Sequence, residues 1–105
     1  MKHQERRREA RLAARGVRAR IQPGHRLVVI DVSSLGALVE GSIQLRPGSR
    51  VNVQLESDLQ RQTLPARVLR CTVAMIDPKA GITYRAALSF ADRCEWVREA
   101  MPHEG

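Results

Sequence analysis

The chain has 105 residues, 43% of them hydrophobic, and only Tyr84, Phe90 and Trp96 are aromatic; this allows one small domain with a thin, aliphatic core. Its formal charge is +7, all of it within residues 1–26, where nine basic residues face two acidic ones; the remainder holds nine of each. No run of 18 apolar residues occurs and no apolar segment follows the basic start, so the expectation is a cytoplasmic protein with neither a spanning helix nor a secretory leader.

Residues 1–15 are charged and Ala-rich, with fair helix propensity but too few apolar positions to anchor a helix by burial. They read as a mobile, Arg-rich arm. From Val17 the texture changes. Val17, Ala19 and Ile21 alternate with Arg18 and Arg20, the period of a strand. Pro23-Gly24 is a turn signal, and Leu27 to Ile30 form a short buried strand. Asp31 to Gly36 carry turn chemistry, Ala37 to Val39 resume an extended segment, and Arg46-Pro47-Gly48 turn again. Val51 to Leu55 alternate as a half-buried strand, and Glu56 to Arg61 read as a loop. Leu64 to Met75 are the longest β-rich run, followed by a turn over Asp77–Gly81. Tyr84, Ala86, Leu88 and Phe90 fall on one face of a last strand. The end switches to helix: Asp92 suits an N-cap with Glu95 three residues on, Cys94, Val97 and Met101 mark a packing face, and Pro102 stops it. Five or six short strands and one helix predict a small antiparallel barrel or sandwich over 16–101, with the helix over an open end and a tail at 102–105.

Little in the chain suggests catalysis. His3, His25 and His103 pair with no Cys or Ser at a recognised spacing, and no phosphate-binding glycine loop or nucleophile motif occurs. No catalytic residue, metal ligand or cofactor is expected. Cys71 and Cys94 read as reduced, buried structural thiols. The basic end calls for an anionic partner. Arg outnumbers Lys 16 to 2, which favours bidentate contact with phosphates or guanine edges, although a GC-rich genome gives the same bias.

Two features remain. One is Glu5-Arg6-Arg7-Arg8-Glu9-Ala10-Arg11, in which Arg7 and Arg11 are spaced R-x-x-x-R. Alone it reads as a solvated tail. The other is Asp31-Val32-Ser33-Ser34-Leu35-Gly36, a D-x-S-x-x-G. Alone it reads as a turn in which Asp and Ser take local hydrogen bonds and Gly supplies positive φ. Together, 19 residues apart, the two motifs resemble the PilZ family of bacterial cyclic di-GMP receptors. Ala66-Arg67-Val68-Leu69-Arg70 and the closing strand Tyr84 to Phe90 extend the similarity over residues 5 to about 95, with Ala87 where the family commonly has Gly.

The resemblance implies a mainly β fold, a small six-stranded antiparallel barrel with a flexible basic N-terminal arm and a short C-terminal helix. It implies cyclic di-GMP as ligand, held by Arg7 and Arg11 with Asp31, Ser33 and Gly36. An Arg just before R-x-x-x-R goes in the family with an intercalated ligand dimer, so Arg6 and Arg8 are candidate further contacts. The chemistry agrees. Arg pairs bidentately with guanine O6 and N7 or forks onto phosphate, and a carboxylate accepts from guanine N1 and N2. Binding is expected to order the arm and alter a surface read by an effector protein, in processes such as motility or biofilm formation, with the chain a monomer or a ligand-dependent dimer. Two other readings compete: a nucleic-acid-binding small barrel, disfavoured by the lack of aromatic stacking positions, and a ligand-free PilZ-like adaptor, disfavoured because every motif residue is present.

Overall fold

The computed structural model describes residues 16–21 and 24–100. Six strands, β1 (Arg18–Ile21), β2 (His25–Val32), β3 (Gly36–Gly41), β4 (Arg50–Glu56), β5 (Arg61–Asp77) and β6 (Gly81–Phe90), precede one helix, α1 (Glu95–Ala100). They close into a barrel in the order β1-β2-β3-β6-β5-β4, and every pairing is antiparallel. The choice between barrel and sandwich is thereby settled. Closure joins strands far apart in sequence, β3 to β6 and β1 to β4.

Alternation builds the core. Val17, Ala19 and Ile21 point inward, as do Val53 and Leu55, Leu64, Ala66 and Val68, and Ala86, Leu88 and Phe90. The intervening residues face outward, which is why Arg18, Arg20, Arg67 and Arg85 can share strands with core residues. The core is aliphatic, as the composition requires; Phe90 is its one buried aromatic. Ala87 is accommodated without a break in the β3–β6 ladder, where it faces Leu38.

Several boundaries differ from the sequence reading, and β2 runs from His25 through Asp31 to Val32. Glu56 and Arg61 are not loop residues but the paired ends of β4 and β5, leaving only 57–60 between them. The helix starts at Glu95, so Asp92 is not its cap. Cys94 takes that place: it is fully buried, and its carbonyl accepts from the Val97 N–H at 3.2 Å. Cys71 is half-buried rather than buried, and both thiols are free. Met101, Pro102 and the arm of residues 1–15 lie outside the described residues. The helix covers one barrel end, as expected: Val97 enters the core, and the Trp96 Nε1–H donates to Gln62 Oε1 at 2.9 Å. Among the described residues no helix is long and apolar enough to cross a membrane.

Candidate binding face around Asp31

The D-x-S-x-x-G segment joins β2 to β3 at the barrel end covered by α1. In the β2–β3 ladder Val29 faces Val39 and Asp31 faces Leu38, so Ile30 is the extra residue of a bulge. The bulge decides where Asp31 points. Strict alternation from Val29, which packs against the core, would turn Asp31 inward as well. One extra residue instead puts Asp31 outside beside Leu38 and returns Val32 to the core. Asp31 Oδ1 is nevertheless shielded from solvent, and it has no hydrogen-bond donor among the described residues. A carboxylate oxygen in that condition is costly unless a donor arrives from elsewhere.

The turn after it is tightly anchored. The Ser33 N–H donates to the Gly36 carbonyl at 2.9 Å, and the Ser33 hydroxyl accepts from the Leu35 N–H at 3.2 Å. The Leu35 carbonyl accepts from the Phe90 N–H at 2.8 Å and the Ser34 carbonyl from the Cys94 N–H at 2.7 Å. One face of the turn is thus tied to β6 and the other to the entry of α1. Ser33 serves the turn, as its local reading held, and remains exposed. Gly36 corrects an expectation, because it does not have positive φ; only Gly48 and Gly81 do among the described residues. Its reason for being glycine is proximity. A Cβ there would collide with the Leu88 backbone carbonyl of β6.

Outward from the turn the barrel wall carries mostly small side chains. Around the wall Asp31, Leu38, Ala87 and Arg70 form one row, and Gly36, Ser89, Arg67 and Arg50 the next. Asp31 and Arg70 are three of the six strands apart, half the circumference of the closed barrel. The floor between them consists of Leu38, Ala87, Ser89 and Gly36, and a cleft lined by Arg50, Arg67, Leu69, Ser89 and Phe90 opens on its far side.

Arg50, Arg67 and Arg70 were not singled out from the sequence. They make no ion pair with any described acidic residue, whereas Arg18 and Arg61 meet Glu56 and Arg85 meets Glu40. Arg50 and Arg67 also stand directly opposite each other on β4 and β5, an unfavourable placement unless an anion lies between them. Their spacing along the chain carries no pattern; only the strand register brings them together.

Arg6, Arg7, Arg8 and Arg11 lie outside the described residues. β1 runs antiparallel to β2, so its first residue, Arg18, is directed toward the C-terminal end of β2, where Asp31 stands. Of the three aromatics, Phe90 is buried and Tyr84 and Trp96 are half-buried, so no exposed stacking platform for single-stranded nucleic acid is present.

Compared with known families, the chain matches the PilZ domain over residues 5–93, a span that contains both the R-x-x-x-R and the D-x-S-x-x-G motif. No curated protein and no solved structure matches it.

Proposed function

The chain belongs to the PilZ domain family, a family of cyclic di-GMP receptors, and on that premise we propose that it binds cyclic di-GMP on the barrel wall beside Asp31. The observation that carries this reading is the shielded Asp31 Oδ1, which no described residue satisfies. Guanine N1 and N2 present two adjacent donors to a carboxylate, and a guanidinium takes the O6/N7 edge that the carboxylate leaves. Arg7 and Arg11 supply that guanidinium from the arm, and Arg6 and Arg8 add contacts if two ligand molecules stack. Ser33 and Gly36 hold Asp31 in place through the turn, and Gly36 lets β3 pass close under β6.

The small residues Gly36, Ala87 and Ser89 leave room for purine rings beside Asp31. Arg67, opposite Ser89 on β5, has no acidic partner among the described residues, so its guanidinium is available to a phosphate. Binding would draw the arm over the barrel end and so change the surface offered to an effector protein. No cofactor and no reaction are part of this reading.

Calorimetric titration with cyclic di-GMP tests it. Arg7→Ala, Arg11→Ala and Asp31→Ala each remove a bidentate or paired contact worth about 1–3 kcal/mol, a weakening of roughly ten- to hundredfold. Circular dichroism should show the barrel intact in all three. Affinities equal to the unaltered chain would refute the assignment. Tight binding of single-stranded RNA with no binding of the dinucleotide would support the nucleic-acid reading instead.

A further inference from the structure

β5 and β6 outrun the barrel. β3 accompanies β6 only as far as Gly41 opposite Tyr84, and β4 accompanies β5 only to Arg50 opposite Arg67, with Ser49 and Gly48 bonding on to Val68. Beyond those points β5 and β6 pair only with each other. They form a projecting ribbon at the barrel end opposite Asp31, closed by the turn at Asp77–Gly81. A two-stranded ribbon is marginal on its own in water.

This ribbon is also the most apolar exposed part of the described surface. Leu69, Val73, Met75, Ile76 and Ile82 are between 41% and 71% exposed, and they are five of the eight large hydrophobics that are exposed. From Cys71 to Ile76 the free edge of β5 contains no charge and no proline, the usual guards of an open edge.

The register to β6 sorts the edge residues by face. Arg70, Thr72, Met75 and Asp77 stand opposite Ala87, Arg85, Thr83 and Gly81 on one face. Cys71, Val73 and Ile76 stand opposite Ala86, Tyr84 and Ile82 on the other, and Ala74 is the extra residue of a bulge. Laid antiparallel against itself, the segment matches at three pairs on either side of a central Val73–Ala74 step. Arg70 falls opposite Asp77, Cys71 opposite Ile76, and Thr72 opposite Met75. Each pair comes from a single face, and the charged pair is of opposite sign. Shifting the register by one residue would set Arg70 against Ile76 and mix the faces.

We propose that two copies of the chain associate through the Arg70–Asp77 edges of β5, forming a four-stranded antiparallel sheet with two-fold symmetry. The occupant is a second copy because the match is to the segment itself, in both face and charge. The association needs no nucleotide: the ribbon beyond Val73 is at the far end of the barrel from Asp31, and Arg70, in the Asp31 row, is half the circumference away from it.

Sedimentation equilibrium of the full chain, up to about 1 mM, reads the assembly. The mass should rise from one chain to two with concentration. Met75→Lys and Ile76→Lys, one on each face, should each raise the dissociation constant by roughly tenfold or more while leaving the circular dichroism of the barrel unchanged. Ile76→Cys tests the register. It places a thiol opposite native Cys71 of the second copy, so mild oxidation should give a covalent dimer, which neither the unaltered chain nor Ile82→Cys gives. A chain that stays single at every concentration overturns the proposal and leaves the ribbon to a strand of another protein. A dimer indifferent to both Lys substitutions, or an Ile76→Cys chain that does not cross-link, also overturns it.

Discussion

Gly36 and Asp31 show how one residue's chemistry can be plain in the sequence while its reason is not. The D-x-S-x-x-G pattern announced a turn in which Asp and Ser take local hydrogen bonds; the turn forms with Ser33 as its acceptor, while Asp31 stands in β2 and its Oδ1 has no partner among the described residues. The glycine, however, answers to a strand more than fifty residues away in sequence, where the Leu88 carbonyl occupies the space a side chain would need. Gly36→Ala should therefore cost about 1–3 kcal/mol in urea unfolding, because backbone cannot yield as a side-chain end can. Gly24→Ala is the matched control: a Cβ there meets nothing within 4 Å, and stability should stay within about 0.5 kcal/mol. The outward aim of Asp31 was equally hidden. Leu27 to Ile30 form an apolar run without alternation, and nothing in such a run marks which residue will be bulged.

At the scale of elements, the β5–β6 turn was legible because its chemistry is local. Asp77 Oδ1 accepts from the Lys79 N–H at 2.7 Å and from the Ala80 N–H at 3.0 Å, and Gly81 follows with a φ of 98°. These backbone bonds, Ala80's first and then Lys79's, hold the Asp77 carboxyl below its ordinary pKa. A lowered folded value means the contribution is complete above the ordinary carboxylate range and fades as pH falls through the lowered value. Amide exchange at Lys79 and Ala80, corrected for intrinsic rate, should thus lose protection on acidification. Asp77→Ala should show that loss already at neutral pH, and Asp77→Asn, which keeps an acceptor oxygen, should show less of it. The projection of the ribbon was not legible. It depends on where β3 and β4 stop, and those ends are set by the long crossing from Gly41 to Arg50 rather than by anything in β5 or β6. The helix start misled for a related reason: Asp92 and Glu95 have capping-box spacing, but the Cys94 N–H is already committed to the Ser34 carbonyl, and the helix begins after it.

For the molecule as a whole, the charge count was right and its reading incomplete. Residues 27–105 are neutral in sum, yet Arg50, Arg67 and Arg70 gather on the β4–β5 wall while Glu56, Asp58 and Glu40 neutralise arginines elsewhere. Alternation and Gly/Pro turns left five or six strands and a barrel or a sandwich; six strands and closure came with the family resemblance, because pairings between distant strands leave no local trace. A chain lacking residues 1–15 loses Arg6, Arg7, Arg8 and Arg11 together and should lose measurable cyclic di-GMP binding in calorimetric titration. Closure also constrains how the molecule comes into being. Synthesis runs from the N-terminus, and β6, the last of the six strands to emerge, is the one that lies between β3 and β5. Until it is made, the outer edge of Gly36–Gly41 has no partner strand and the sheet stays an open curl. The barrel therefore closes only through pairings that span the chain, and sheltering that open edge falls to whatever meets the chain as it is made.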